Sequence, residues 1–119
     1  MFEEIEEIRS ARKKYNGLMF ESASPVFRGF EELEAMALKS GVLDRKYKEL
    51  IALSISVCDS CYGCIEYHVG AALECGATRE EIVEATAVSV CLGGGPATWP
   101  ARFVFKVLDE LEGSRRRDK

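Results

Sequence analysis

The chain has 119 residues, of which 47% are hydrophobic and 30% are charged, and its formal net charge is −4. A chain of this length holds one hydrophobic core, and its composition is that of an ordinary globular protein. Broad nucleic-acid binding needs a basic face, which the acidic balance argues against, and no uncharged run approaches the roughly 18 apolar residues of a membrane span. We therefore expect one small domain without a nucleic-acid or membrane partner.

Two amphipathic helices are predicted at the start of the chain. The first covers residues 2–15, and Asn16-Gly17 is expected to end it. Its acidic start lacks the basic and apolar regions of a signal peptide, so a cytoplasmic location is expected. Ser24-Pro25 places a cap before a proline at the first helical position and opens a second helix, which Gly41 closes. The predicted apolar face of this second helix contains Phe27, Phe30, Leu33 and Ala37.

The third predicted helix, residues 45–58, is capped by Asp44 and begins the most informative part of the chain. Nine consecutive residues after Glu49 carry no charge, so this helix is expected to be buried on most sides. Burial would take water from the Glu49 carboxylate and disfavour its charged form, which makes it a proton acceptor for an imidazole. Arg45 offers the alternative that Glu49 is one half of a solvated ion pair.

A Cys-x-x-Cys motif, Cys61 and Cys64, precedes the only histidine, His68, at helical spacing. At ~100° per residue all three side chains share one helical face. Asp59 or Ser60 is expected to cap this fourth helix, so that Cys61 lies in its first turn. A helix N-terminus, a nearby imidazole and a vicinal thiol all favour the reactive thiolate. Because Cys64 and His68 are i and i+4 neighbours, the imidazole can reach that sulfur.

Metal binding is the main competing interpretation of this segment. Cys58 extends the motif to Cys-x-x-Cys-x-x-Cys, and with His68 it offers four candidate ligands for zinc or part of an iron–sulfur set. Structural zinc sites usually draw ligands from separated segments, and the iron–sulfur run needs Cys-Pro where His68 stands. We therefore expect no metal, and we assign Cys58 to the buried end of the third helix, with a Cys58–Cys61 disulfide as a rival pairing. Cys75 and Cys91 are interpreted as core residues.

Glycines and a capping signal divide the rest of the chain. The cysteine helix is expected to run over about residues 60–75, and Thr78 to Glu81 form a capping box for a fifth helix. Gly93-Gly94-Gly95-Pro96 lacks the Lys-Ser/Thr of a phosphate loop and is interpreted as a hinge before a last helix over residues 99–112. Residues 113–119 are expected to form a flexible basic tail. In the fifth helix, the side chains predicted to face the core are those of Ile82, Ala85, Val88 and Leu92.

The spacing Glu49-x11-Cys61-x2-Cys64-x3-His68, followed by residues 76–82, resembles the carboxymuconolactone decarboxylase superfamily and, within it, the AhpD-like alkyl hydroperoxidases. The likeness covers about residues 25–110. It implies an all-α bundle of about six helices, with residues 1–112 as a single domain. It also implies a homo-oligomer, either a homohexamer or a homotrimer. The lack of any alternating strand pattern agrees with this fold.

The resemblance further implies an oxidoreductase, a thiol peroxidase of the peroxiredoxin type with an antioxidant role. Its catalytic residues would be Glu49 and His68 as a proton relay and Cys61–Cys64 as the redox-active pair. The expected partners are a hydroperoxide substrate and a dithiol or disulfide protein as external electron donor, with no tightly bound cofactor. Proximity to His68 favours Cys64 as the sulfur that attacks the peroxide, whereas the position at the helix N-terminus favours Cys61. Of these two alternatives we prefer Cys64 as the attacking and Cys61 as the resolving residue.

Two alternatives stay open beside the peroxidase. Position 63 is Gly, where some peroxidase members place a second histidine, so thiol activation would depend on His68 and Glu49 alone. A decarboxylase-like lyase would use only these two residues as acid and base. A zinc-stabilised structural oligomer would instead lose stability on chelation.

Overall fold

The computed structural model describes residues 4–117, with side chains described for residues 4–113. Residues 4–117 form six α-helices and contain no β-strand, which confirms the predicted all-α class. The helices are α1 (Ile5–Glu21), α2 (Val26–Leu38), α3 (Arg45–Cys58), α4 (Tyr62–Glu74), α5 (Arg79–Gly93) and α6 (Gly95–Arg117). Within this described range, none of the helices combines the length and the apolar character needed to cross a bilayer.

The hydrophobic core lies between α3, α4, α5 and α6. Each fully buried aliphatic or aromatic side chain contributes about 1.5–3 kcal/mol relative to exposure, so this four-helix unit holds the fold together. Helix α1 packs on the outside of α4, and α2 contacts mainly α1 and α3. The largest fully buried hydrophobic side chains include Leu53, Val57, Ile65, Val69, Ile82, Phe103, Val104, Val107 and Leu108, together with Ile5 of α1.

Helix α1 is longer than predicted. It continues through Asn16-Gly17 to Glu21, and the N–H and hydroxyl of Ser22 close it by donating to the Met19 carbonyl at 3.2 and 2.7 Å. A glycine inside a helix costs only about 1 kcal/mol, and continued helical bonding and the contact with α2 offset that cost. The prediction that Asn16-Gly17 ends the helix is therefore wrong.

Helix α2 begins one residue later than predicted, at Val26 with Pro25 as its N-cap, and ends at Leu38, before Gly41. Its apolar face is not buried in the single chain. The Ser24 hydroxyl accepts a hydrogen bond from the Val26 N–H at 3.3 Å, and Pro25 has helical dihedrals. All residues of α2 are described, and none of them is buried. Phe30 and Leu33 are 64% and 58% exposed, because no other part of the described chain covers them.

Helix α3 has the predicted bounds, with Asp44 at the N-cap position, although the Asp44 side chain bonds to the Ser40 hydroxyl rather than to the helix. Burial on most sides is wrong for the single chain. Leu53 and Val57 face α4 and α5, whereas Ile51 and Ile55 on the opposite side are 50% and 57% exposed.

Helix α5 opens with the predicted capping box between Thr78 and Glu81. Its predicted core face is partly wrong, because Val88 and Leu92 are 56% and 81% exposed while Thr86 and Ser89 are buried. Both buried hydroxyls donate hydrogen bonds to carbonyls, that of Thr86 to Ile82 at 2.8 Å and that of Ser89 to Ser54 at 2.9 Å. Polar residues can therefore occupy this part of the interface with α3.

Glycines mark the end of α4 and the boundary between α5 and α6. Helix α4 ends with Gly76 at φ 92°, and the Ala77 N–H returns to the Ala72 carbonyl at 2.9 Å, which confirms the predicted stop. Gly94, at φ 71°, separates α5 from α6. Helix α6 starts at Gly95 and reaches Arg117, so it begins before and ends after the predicted range 99–112. The expected flexibility of residues 113–119 stays a prediction, and residues 118–119 lie outside the described part.

Three cysteines lie elsewhere than expected. Cys58 and Cys91 are exposed and Cys75 is half-buried, so the predictions that these thiols are core residues are wrong. Cys58 is the last residue of α3, and its thiol donates to the Ser89 carbonyl of α5 at 3.5 Å. This contact with α5 leaves Cys58 exposed to solvent.

Candidate active site

The packing of α3 against α4 brings Glu49 and His68 into direct contact. The Nδ1 atom of His68 lies 2.8 Å from Oε2 of Glu49, whose side chain is fully buried. An ionised carboxylate can only accept, so in the neutral imidazole Nδ1–H donates to it and Nε2 carries the lone pair. The imidazole is thus held in the tautomer that can take a proton from a nearby acid.

The second carboxylate oxygen of Glu49 lies near Arg45, the partner that the ion-pair interpretation proposed. Arg45 Nε is 3.5 Å from Glu49 Oε1, and that oxygen finds no hydrogen-bond partner among the described residues. The Arg45 side chain is 47% exposed. Glu49 therefore has both predicted neighbours, but its shorter contact, and its only hydrogen bond in the described chain, is with His68.

Cys61 and Cys64 form a disulfide, with their Cα atoms 5.2 Å apart. The rival Cys58–Cys61 pairing is wrong, because Cys58 is free. Cys61 itself is the N-cap of α4, and its sulfur accepts a hydrogen bond from the Cys64 N–H at 3.3 Å. The predicted caps, Asp59 and Ser60, are wrong: the Cys61 N–H still bonds to the Ser56 carbonyl, so α4 cannot begin earlier.

A groove with a volume of about 1050 Å³ brings the redox and acid–base residues to one surface. Cys61, Cys64 and His68 line its floor on α4, whereas the buried Glu49 stands behind the imidazole. The opposite wall comes from α1 and α2 and is largely apolar, including Met19, Phe20, Phe27, Phe30 and Leu38. The sulfur atoms therefore face a space that suits an apolar or amphipathic reactant.

A second buried carboxylate, that of Glu66, lies on α4, the helix that carries the cysteines and His68. The sequence analysis did not identify it. Glu66 is 3% exposed and accepts from Arg9 Nε at 2.7 Å and from Arg12 Nη2 at 2.9 Å. Arg12 also donates to the Gly63 carbonyl at 2.9 Å, inside the Cys-x-x-Cys turn. The available signal was an acidic residue in the middle of the apolar α4 together with two arginines one turn apart on α1.

The metal hypothesis receives no geometric support. Across the described residues, no group of three or more His, Cys, Asp or Glu side chains is arranged to hold a metal ion. Cys61 and Cys64 are paired with each other, and Cys58 bonds to a carbonyl of α5. Of the four residues that the sequence offered as ligands, Cys58 thus lies apart from the groove that Cys61, Cys64 and His68 share.

The fold and this site define a class of all-helical proteins that hold a disulfide-forming cysteine pair beside a buried carboxylate–imidazole pair. The family model of the carboxymuconolactone decarboxylase family matches residues 24–107, and the chain therefore belongs to that family. The match includes all four candidate site residues, begins after α1 and ends within α6.

Individual relatives agree with this assignment. The chain is 38% identical over 85 residues to uncharacterized protein 4 of the cox locus of Paracoccus denitrificans, covering 71% of this chain and 77% of that protein. A crystal structure of a Thermotoga maritima protein has a TM-score of 0.88 at 29% identity, covering 93% of this chain and 97% of that one. A second crystal structure of the Thermotoga protein has a TM-score of 0.87 at 28% identity, covering 94% of this chain and 95% of that one. That Thermotoga protein is described as a member of the same family, with a suggested role of its own in the antioxidative response. A family member from Legionella pneumophila is 36% identical, with a TM-score of 0.68, covering 87% of this chain and 86% of that one.

Proposed function

We propose that the protein is a two-cysteine thiol peroxidase that reduces hydroperoxides and exchanges disulfides through Cys61 and Cys64. The observation that carries this proposal is the shared groove: both sulfurs and His68 line it, and Glu49 holds His68 at 2.8 Å from behind. The antioxidative role suggested for the Thermotoga maritima relative supports the same direction.

The Glu49–His68 pair acts as the proton relay. Glu49 fixes the tautomer of His68, so Nε2 is available to accept the proton of the Cys64 thiol, one helical turn away on α4. The buried carboxylate then stabilises the imidazolium that this transfer creates. Because Gly63 carries no side chain, the activation of the thiol depends on this pair and on the charges around the groove.

The catalytic cycle has three steps. The Cys64 thiolate attacks the terminal peroxide oxygen, the O–O bond breaks, and His68 returns its proton to the departing alkoxide, which leaves as the alcohol. The Cys61 thiol then attacks the Cys64 sulfenic acid, forming the disulfide and releasing water. Finally an external dithiol reduces the Cys61–Cys64 disulfide and is itself oxidised to a disulfide.

Cys61 is the sulfur that exchanges with the external donor. The donor thiolate attacks the Cys61 sulfur and Cys64 leaves as the thiolate, and the second donor thiol then attacks the donor sulfur of the mixed disulfide and releases Cys61. Cys61 lies at the N-cap of α4, where its sulfur accepts the Cys64 N–H, and this bond stabilises Cys61 as the thiolate that leaves in the second step. Cys64 lies one turn closer to His68 and takes the peroxide step. Each cysteine thus has its own local support for its own half-reaction.

We also propose that the working unit is a homo-oligomer, most simply a homohexamer, in a reducing compartment such as the cytoplasm. The accessible surface of the chain is 7775 Å², whereas a compact monomer of 13.2 kDa exposes about 6400 Å². Apolar side chains contribute to this excess on α2 and on the outer faces of α3 and α5, including Phe30, Met36, Ile51, Ile55 and Leu92. Sedimentation equilibrium tests this, and a mass near that of one chain would contradict it.

The test of the peroxidase is a thiol titration of the reduced protein before and after one equivalent of an alkyl hydroperoxide, with mass mapping of the disulfide. We expect two thiols to disappear and to map to Cys61 and Cys64. Steady-state turnover should fall about 100-fold or more in C61S and in C64S, a barrier increase of about 2.7 kcal/mol, because each variant lacks one half of the cycle.

The matched control is C58S, which removes the neighbouring free thiol and should stay within about twofold of the parent. Equal losses in all three cysteine variants would contradict the pairing. Full activity of a C61S/C64S double variant in lactone decarboxylation, without any peroxide turnover, would instead favour the lyase.

A further inference from the structure

Helix α1 contributes a residue to the redox site, although it precedes the part of the chain that the family model matches. We infer that Arg12 is a positioning residue for the Cys61–Cys64 turn, and that its charge favours the thiolate state of the reduced pair. This inference rests on the proposed function and deepens it.

The first support is the bond from Arg12 to the backbone of the motif. Arg12 Nη2 donates to the Gly63 carbonyl at 2.9 Å, and Gly63 stands between the two cysteines. A glycine has the least restricted backbone of any residue, so a turn that contains it needs outside support to keep one conformation. The guanidinium supplies that support from a separate helix.

The second support is the way in which Arg12 is itself held. Its Nη2 atom also lies 2.9 Å from Glu66 Oε2, and its guanidinium carbon is 5.3 Å from the centre of the Tyr67 ring. Glu66 is nearly fully buried, and Arg9 binds its other oxygen at 2.7 Å. A planar guanidinium with several bonds and a stacked ring keeps a defined position, which a lysine could not reproduce.

The third support is the location of the charge. Arg12 lines the same groove as Cys61, Cys64 and His68. A positive charge in this groove lowers the free energy of the thiolate relative to that of the thiol. The groove is also lined by the charged residues Glu31, Glu34, Lys39 and Arg45, which stay unchanged when Arg12 is replaced. Arg12 thus supplies positive charge at a site where position 63 carries no side chain.

Arg9 provides a matched control on the same helix. It forms the other ion pair with Glu66, but in the described part of the chain it makes no hydrogen bond to Gly63 and does not line the groove. R9Q and R12Q therefore each remove one partner of Glu66, and only R12Q removes the contact with the motif.

The experiment measures how fast iodoacetamide alkylates the reduced protein as a function of pH, with mass mapping of the modified cysteine. We expect the midpoint for the redox pair to rise by about half a pH unit to one pH unit in R12Q and by less than about 0.2 in R9Q. Thermal unfolding temperatures of the two variants should fall by similar amounts. Equal midpoint shifts in both variants, or none in R12Q, would overturn the inference.

R12Q leaves the buried Glu66 carboxylate with Arg9 as its one remaining partner in the described chain, and this variant alone could fail to fold. The comparison is then made in a protein in which residue 66 carries no charge. E66Q removes the buried charge, so R12Q/E66Q is compared with E66Q, and the same rise in the midpoint is expected. Alkylation needs no peroxide, and the two proposals can therefore fail separately. If the parent protein shows no peroxide turnover but R12Q alone shifts the alkylation midpoint, only the peroxidase proposal is contradicted. If the parent turns over peroxide normally and R12Q leaves the midpoint unchanged, only the role of Arg12 is contradicted.

Discussion

The helix pair α3–α4 and the helix pair α1–α2 contribute to the same groove in different ways. Helices α3 and α4 hold Glu49, His68 and the cysteines through buried contacts and through packing on α5 and α6. Helices α1 and α2 form the opposite wall, with most of their apolar side chains exposed and with charged contacts to α4 through Arg9 and Arg12. The four candidate site residues thus lie on the rigid pair, α3–α4, and the loosely packed pair, α1–α2, forms the rest of the groove.

The largest expected effect belongs to the rigid pair. Leu53→Ala on α3 removes a fully buried side chain and should lower the free energy of unfolding by about 2–5 kcal/mol, because it leaves a cavity between α3 and its neighbours. Leu33→Ala on α2, where the side chain is 58% exposed, is the matched substitution in the other pair. It should change the monomer's stability by less than about 0.5 kcal/mol.

Urea unfolding at a protein concentration low enough to dissociate any oligomer measures both changes. If Leu33→Ala costs as much as Leu53→Ala under those conditions, the division into a rigid and a loosely packed pair is wrong.

The next effect concerns the acid–base pair. Glu49→Gln keeps the shape of the side chain but removes the carboxylate that holds the imidazole, and we expect peroxide turnover to fall about 100-fold. Glu31→Gln provides the control, since Glu31 lines the groove from the exposed side of α2. Its turnover should stay within about twofold of the parent, and comparable losses would show that groove charge rather than the relay is being measured.

A smaller effect tests the length of α1. A Cβ atom added at Gly17 would meet nothing within 4 Å, and the position is exposed in the middle of the helix. Gly17→Ala should therefore raise the free energy of unfolding by about 0.5–1 kcal/mol, because alanine has the higher helix propensity. Gly63→Ala serves no such purpose, since it alters the redox turn. A loss of stability in Gly17→Ala, measured by urea unfolding, would restore the helix end that the sequence suggested.

The smallest effect is a pH dependence at the start of α5. The Thr78 N–H, at 2.9 Å, and then Lys46 hold the pKa of Glu81 below its ordinary value of 4.5. The stabilisation from ionised Glu81 is therefore fully present above about pH 4.5 and is lost as the pH falls through the lower folded-state pKa. We expect the stability gap between the parent and Glu81→Gln to close in that range. A gap that is constant from pH 7 to pH 3 would contradict this assignment.

The same division explains which features could be predicted from the sequence. The bounds of α3, the capping box at Thr78 and the stop at Gly76 depend on residues within a few positions of each other, so local rules suffice. The exposed face of α2 could not be predicted, because an apolar stripe shows that a helix needs a partner without saying whether the same chain supplies it. The Arg12–Glu66 pair spans 54 positions and becomes apparent only when α1 lies on α4.

The register of α5 and the cap of α4 show the same limit at finer scale. The sequence predicts Val88 and Leu92 in the core. Instead Thr86 and Ser89 are buried, because their hydroxyls donate hydrogen bonds to backbone carbonyls. Cys61 takes the cap because the last turn of α3 still bonds its N–H. Both outcomes depend on how α3 meets its neighbours, which no local pattern encodes.

His68 is the only histidine among the 119 residues, and it lies between the buried Glu49 and the groove. In a proton NMR spectrum the chain therefore has one imidazole, and its ring signals need no assignment by substitution. Reduction of the Cys61–Cys64 disulfide, arrival of a reactant in the groove and oligomer assembly can each be followed through this single native reporter, in the unlabelled protein and without an added probe.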